Sequence, residues 1–274
     1  MLPIVLHHGI FGYDRVKIGP VKWSYFGGGI ERAINERGHA LIVARVSRSG
    51  SIATRAEQLK QTLLDQLDLF GRANERVVIF AHSMGGLDAR YMISQLDMGH
   101  RVKALVTLST PHRGCSYADW VLQNVDKRAS VRQFLRVLRL NLAGVRDLTT
   151  HAVARFNDDV LDHPDVKYYS VTAARPWYRV PPFLLHSHRI VQKHEGDNDG
   201  IVSVASGQWG THLGTWPADH LHVVNRRLVI ELRQRTGNVL PRYMQVLDRL
   251  KHDDMLGEEE VEQVEMGEPQ EVIA

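Results

Sequence analysis

Three residues of this 274-residue chain have the types and the order needed for nucleophilic acyl chemistry: Ser83, Asp199 and His220. A serine hydroxyl attacks a carbonyl poorly until a base takes its proton, and an imidazole base needs an acid to hold its tautomer. Ser83 stands in Ala81-His82-Ser83-Met84-Gly85-Gly86, directly after the apolar run Val77-Val78-Ile79-Phe80. Small residues flanking a serine between a strand and a helix suit a sharp, strained turn that lifts the hydroxyl clear of its sheet. Asp199 opens Asp199-Gly200-Ile201-Val202, and His220 follows in Ala218-Asp219-His220-Leu221-His222. His82, His112, His188, His212 and His222 compete for the base role and Asp197 for the acid. His82 adjoins the serine and is expected to point away from the acyl pocket. A developing oxyanion needs two backbone N–H donors. Met84, next after the nucleophile, offers one, and Ile10 in the loop His8-Gly9-Ile10 offers the second.

These groups must be held by surrounding elements. Residues 4–7, 40–46, 77–81, 102–108 and 166–172 read as strands. Helical patterns alternate with them at 23–37, 54–70 and 87–97. The second has a capping-box pair at Thr54 and Glu57 and an apolar stripe of Leu59, Leu63, Leu67 and Phe70. Strands alternating with helices imply a mostly parallel sheet covered on both faces, an α/β fold. About fifty residues separate the fourth and fifth strands, more than a crossover needs. Residues 120–142 within them are helical in pattern, with Val131, Phe134, Leu135, Leu138 and Leu142 on one side and Arg128, Arg132, Arg136 and Arg139 on another. That segment reads either as a core-packed helix with a basic face or as a lid. Further helices are expected at 223–233 and 238–251. The resulting division is a catalytic domain over 1–236 with a helical insertion at 115–165, a docking helix at 237–252, and an acidic, flexible tail at 253–274.

Composition narrows the classes. The formal net charge of +3 hides an asymmetry: nine acidic residues and no Lys or Arg lie from Asp253 onward, so the remainder carries 34 basic against 22 acidic side chains. The arginines are scattered and no nucleic-acid motif accompanies them, so no nucleic-acid partner is expected. No apolar run has transmembrane length. The chain enters its first strand without a signal-peptide pattern, which implies a cytoplasmic protein if Met1 is the native start and a secreted one if a leader was removed. Cys115 is the only cysteine, so neither an internal disulfide nor a thiolate metal site can form. His186-Ser187-His188 and His220-Leu221-His222 lack a third ligand for zinc, and Asp197-Asn198-Asp199 lacks the rest of a calcium loop. No cofactor or metal is expected.

Taken together, the motifs resemble the bacterial true-lipase family of α/β-hydrolases. The resemblance runs in order over residues 3–230, through His8-Gly9-Ile10-Phe11-Gly12-Tyr13-Asp14, Val46-Ser47, Arg55-Ala56-Glu57-Gln58-Leu59, the Ser83 turn with Arg90-Tyr91, Ser109-Thr110-Pro111-His112-Arg113-Gly114, Leu148-Thr149-Thr150 with Phe156-Asn157, Val166-Lys167-Tyr168-Tyr169-Ser170, Asp199-Gly200-Ile201-Val202 and Asp219-His220-Leu221. It implies an α/β-hydrolase fold with a helical lid insertion and a lipase-like esterase that cleaves acyl esters through an acyl-enzyme. Ser83, Asp199 and His220 would form the triad and Ile10 and Met84 the oxyanion hole. His8 would support that loop, and Arg55 would brace it by hydrogen bonds. The implied partner is an ester or lipid substrate, met in part through the lid at a lipid interface. Thioesterase, amidase, polyesterase or acyltransferase chemistry would use the same machinery, and a non-catalytic binding module of the same fold is a further alternative. Two features depart from the secreted lipases. The single cysteine forbids their disulfide. At the positions of their calcium site, two and six residues after the histidine, stand His222 and Arg226, poor partners for a hard cation.

Overall fold

The computed structural model describes residues 1–10, 12, 15–18, 21–129, 133, 142–226 and 237–257. Its centre is a six-stranded parallel sheet in the order β4-β1-β5-β6-β7-β8, built from β1 (Ile4–His7), β4 (Leu41–Val43), β5 (Val77–His82), β6 (Val102–Leu108), β7 (Lys167–Ala173) and β8 (Thr211–Trp216). The antiparallel strands β2 (Arg15–Ile18) and β3 (Val21–Ser24) form a separate hairpin.

Period-2 alternation divides the strand residues between two cores. Ile4, Leu6, Val78, Phe80, Val106 and Val171 face one side, packed against Ile30 and Ile34 of α1 (Ile30–Glu36) and Tyr243, Val246, Leu247 and Leu250 of α8 (Leu240–His252). Val5, Ile42, Ile79, Ala81 and Leu105 face the other, against Ala56, Leu59, Leu63 and Leu67 of α2 (Ile52–Leu69) and Ala89, Met92 and Ile93 of α3 (Met84–Gln95). Each fully buried leucine of that stripe stabilises the fold by about 1.5–3 kcal/mol.

Several elements differ from the sequence-based expectation for physical reasons. Residues 21–24 pair in the hairpin, and Gly27-Gly28-Gly29 keeps the helix from starting before Ile30, because glycine is costly inside a helix. The cap of α2 is Ser51, whose Oγ accepts from Thr54 N–H, so Thr54 lies inside the helix. Phe70 falls beyond the stripe and is 40% exposed. Strand β4 ends at Val43, although Ala44 N–H still donates to Leu6 C=O. Helix α3 begins three residues earlier than expected, at Met84. Strand β8 was not anticipated: Thr211-His212-Leu213-Gly214-Thr215-Trp216 is a mostly exposed edge strand without an apolar run. The helix expected at 223–233 begins as a short 3-10 turn, His222–Val224, ended by Asn225 in the left-handed region at φ 58°. Residues 227–236 lie outside the described residues.

The insertion between β6 and β7 contains α4 (Ser116–Asn124), α5 (Leu142–Asp147) and α6 (Thr150–Asp159). Cys115, Ala118, Val121 and Val145 form a third apolar cluster with Val191 of α7 (Leu185–Glu195). Residues 130–132 and 134–141, which carry most of the stripe expected over 120–142, lie outside the described residues, as do 258–274 of the acidic tail.

Candidate active site

The carboxyl ends of parallel strands open toward one edge of a sheet, where α/β folds place their chemistry. Ser83 follows β5 with φ 56° and ψ −134°, a conformation that L-residues hold only when their surroundings impose it. Ser83 N–H donates to Leu108 C=O at 2.9 Å, and Thr110 Oγ1 donates to Ser83 C=O at 2.8 Å, so the neighbouring strand fixes both ends of the strained unit. Close approach demands glycine on either side. A Cβ on Gly85 would lie 2.8 Å from His8 O, and one on Gly9 would lie 2.5 Å from Ser83 Cβ.

Ser83 Oγ lies 2.9 Å from His220 Nε2, and His220 Nδ1 lies 2.7 Å from Asp199 Oδ2. An ionised carboxylate only accepts, so Nδ1 carries the ring proton and Nε2 is left to accept from the serine. Asp199 is fully buried and divides its two oxygens. Oδ1 accepts from Ile201 N–H at 2.9 Å and Val202 N–H at 2.8 Å, which closes the turn, while Oδ2 serves the histidine. His220 N–H donates to Asp199 C=O at 2.9 Å, joining the two loops through backbone as well as side chain.

The competing residues lie elsewhere. Asp197 is exposed. His112 Nε2 is 3.0 Å from Thr107 Oγ1, His188 Nε2 donates to Arg175 C=O at 2.9 Å, and His212 Nε2 is 3.1 Å from Thr172 Oγ1. His82 is not among the residues that line the cavity, but its ring backs two that do: Nδ1 lies 2.7 Å from Tyr25 Oη, and its ring centroid is 4.6 Å from that of His220. Burial, then the charge of His220, holds the His82 pKa well below the ordinary histidine value, so His220 packs on a neutral ring.

The loop after β1 is anchored from below. Arg55 Nη2 donates to His8 C=O at 2.7 Å, Nη1 donates to Ser47 C=O, and Nε donates to Asp88 Oδ2 at 2.8 Å. His7 Nε2 lies 2.9 Å from the same Asp88 oxygen, and the side chains of His7, Arg55 and Asp88 are all fully buried. Arg55 thus carries the loop of Ile10 toward the start of α3. Met84 opens that helix, where the first N–H groups have no intrahelical partner. Burial, then the His7 and Arg55 charges, pushes the His8 pKa down to about 3. The His8 ring is therefore neutral, with Nδ1 2.9 Å from Gly9 O. The role of Asp88 was not foreseen; an aspartate inside a helix, five residues after the serine, was its only trace in the sequence.

Ser83 and His220 open onto a cavity of about 270 Å³ whose walls are mainly apolar, among them Ile10, Val121, Val145, Leu148 and Leu184. Cys115 also lines it; burial pushes its thiol up to about 12, and Sγ donates to Ile201 C=O at 2.9 Å.

The residues at the positions of the secreted lipases' calcium site do not suit calcium. Arg175 Nη2 can only donate, so His222 Nδ1 accepts at 2.5 Å, and His222 Nε2–H then donates to Gly237 C=O at 2.7 Å. Both ring nitrogens are committed, and Arg226 at the second position spends its Nε on Tyr25 C=O at 3.2 Å. A cation that prefers six to eight oxygen ligands finds guanidinium groups instead.

The chain is similar to several known proteins. A family model, the PGAP1-like alpha/beta domain, matches residues 46–175. Triacylglycerol lipase 2 of Saccharomyces cerevisiae is 31% identical over 204 residues, which cover 72% of this chain and 61% of the yeast protein. A triacylglycerol lipase of Pseudomonas fragi is 28% identical over 295 aligned residues, covering 91% of this chain and 96% of that one. Among solved structures, the mature Bacillus licheniformis lipase BlEst2 aligns with a TM-score of 0.69 over 90% of this chain and 91% of its own, at 21% identity, a likeness of fold.

Proposed function

Because the chain belongs to the triacylglycerol lipase-like family of α/β-hydrolases, we propose that it is a serine carboxylester hydrolase acting on lipid-like or other acyl esters. The observation that carries this reading is the continuous chain Ser83–His220–Asp199, at 2.9 and 2.7 Å, facing an apolar cavity. In the proposed reaction Ser83 Oγ attacks the ester carbonyl carbon while its proton passes to His220 Nε2. The carbonyl oxygen becomes an oxyanion held by the N–H groups of Ile10 and Met84. Its collapse breaks the C–O bond to the alcohol, which leaves with the proton from His220. A water molecule, deprotonated by His220, then cleaves the acyl-enzyme and restores Ser83. Asp199 stays ionised throughout and orients the imidazole.

The apolar walls support an acyl chain as the group bound there. Val121, Val145 and Leu148 come from the helical insertion, which supports assigning that segment as the cover of the pocket. Phe183 lines this cavity and is 59% exposed, an apolar ring suited to transient contact with a lipid surface. Among the described residues no helix is long and apolar enough to cross a membrane.

Ser83→Ala should lower the hydrolysis of p-nitrophenyl butyrate by at least about 10⁴-fold and abolish labelling by a serine-directed phosphonate. Retained turnover by a folded variant would sink the assignment. Rates for acyl chains of increasing length, below and above substrate solubility, then separate lipase from esterase behaviour.

A further inference from the structure

Arg175 is a large cationic side chain, 4% exposed, that lies outside the reacting groups. It follows β7 by two residues and joins the loops that carry the acid and the base. Its backbone N–H donates to Asn198 C=O at 3.0 Å, next to Asp199. Its guanidinium donates to Asp219 Oδ2 at 2.7 Å, Pro217 C=O at 3.2 Å and His222 Nδ1 at 2.5 Å, so it meets the chain on both sides of His220. Asp219 is fully buried, and its other oxygen accepts from Leu221 and His222 N–H, each at 3.0 Å. His188 holds the Arg175 carbonyl from behind.

This arrangement is the physical converse of a metal site. A metal ion would organise such a loop by drawing oxygen ligands to one positive centre. Here the positive centre is covalent, its planar fork takes several partners at once, among them Asp219, Pro217, Arg179 and His222, and the carboxylate beside it is already satisfied. We infer that Arg175 is a positioning residue: a built-in cation that fixes the histidine loop through Asp219 and His222, and makes that loop independent of calcium. The inference rests on His220 acting as the base.

The test uses the full chain with p-nitrophenyl butyrate, EDTA and calcium chloride. For the unsubstituted protein, dialysis against EDTA and then addition of millimolar calcium should leave kcat within about twofold and Tm within about 2 °C. A larger rise with calcium would overturn the inference. Arg175→Met should lower kcat by about 10- to 100-fold, the cost of misplacing a base by about an ångström, with KM changed less than about threefold. Arg175→Lys keeps the charge but not the fork and should recover part of that loss.

Arg175→Met/Asp219→Leu removes both charges. It should regain thermal stability over Arg175→Met, because no lone buried charge remains, while kcat stays low. A merely structural pair predicts that kcat recovers together with Tm, and that result overturns the proposal. If Arg175→Met does not fold, Arg175→Lys decides: unchanged kcat overturns the proposal, and a 3- to 10-fold loss at constant KM supports it. Absence of Ser83-dependent turnover in the unsubstituted protein would instead refute the hydrolase reading. The melting response to calcium would still report on the loop.

Discussion

Acidification should unfold this protein through its interior histidines. Burial pushes His8 down to about 3 and holds His82 and His112 well below the ordinary value of 6.5; His7 is lowered as well, its burial partly offset by Asp88. A histidine whose pKa is lower folded than unfolded leaves stability intact above the unfolded value. Below it, the unfolded chain binds protons that the folded chain cannot, and stability falls with pH. For a group that stays neutral when folded, the loss between pH 7 and 5.5 is about 1.2 kcal/mol. His8, His82 and His112 together lose about 4 kcal/mol, a large share of the 5–15 kcal/mol that typically separates folded from unfolded chains. At about 2 cal/mol/K of unfolding entropy per residue, the melting temperature should drop by about 7 °C over that interval. Burial raises Asp147 and Asp162, which acts in the opposite sense but over a window that opens nearer pH 4. Melting curves followed by circular dichroism at constant ionic strength, from pH 7.5 to 5, measure the effect. A melting temperature flat to within 2 °C across that range would refute neutral, buried histidines. A net uptake of about three protons on unfolding near pH 5.5, read by calorimetry in buffers of different ionisation enthalpy, would support them.

Three further outcomes follow from the site. Asp199→Asn should lower kcat by about 10⁴-fold while leaving the fold intact, because an amide can donate to Nδ1 and favour the wrong tautomer; steady-state kinetics beside a far-UV spectrum checks it. Gly9→Ala should lower kcat by about 10²-fold, because the added Cβ would lie 2.5 Å from Ser83 Cβ and must displace the loop or the turn. The Tm loss should be modest, and wild-type kinetics would show that the approach is looser than described. Cys115 should resist iodoacetamide at pH 8 in the native state and react on denaturation. A thiol at about 12 leaves only about one thiolate in 10⁴, and mass spectrometry reads the difference.

Legibility in the sequence followed the strength of the local signal. The strands at 4–7, 77–82 and 102–108 are buried almost throughout and are apolar except for His7, His82, Lys103 and Thr107. The edge strand β8 has one exposed face and a glycine at φ 121°, so nothing in Thr211-His212-Leu213-Gly214-Thr215-Trp216 distinguishes it from a loop. The hairpin at 15–24 was hidden by a helical pattern in the residues that follow it. Ser83, Asp199 and His220 were legible because chain order and turn chemistry restrict them. Asp88 and Arg175 were not: a buried ion pair is a long-range partnership. Arg55 meets Asp88 33 positions away and Arg175 meets Asp219 44 positions away, and neither has a periodicity or a motif.

Those two pairs bear on how the site is held together. Each places a guanidinium and a carboxylate out of water, an arrangement that often adds little net stability over an apolar replacement. Each nevertheless fixes a loop that no sheet ladder reaches: Arg55 grips the carbonyl of His8 below the loop of Ile10, and Arg175 grips the residues on either side of His220. The strained serine lies between them, tied to β6 through Leu108 and Thr110. Loop backbone can be directed at a reacting atom only if something rigid holds it from behind. A planar fork with several donors does so with more angular definition than apolar packing, because each hydrogen bond weakens steeply as it bends. The two arginines should therefore differ from core leucines in what their removal costs. Truncating Leu63 should lower the melting temperature and leave the turnover of the folded fraction unchanged, whereas replacing either arginine should lower turnover even where the chain remains folded.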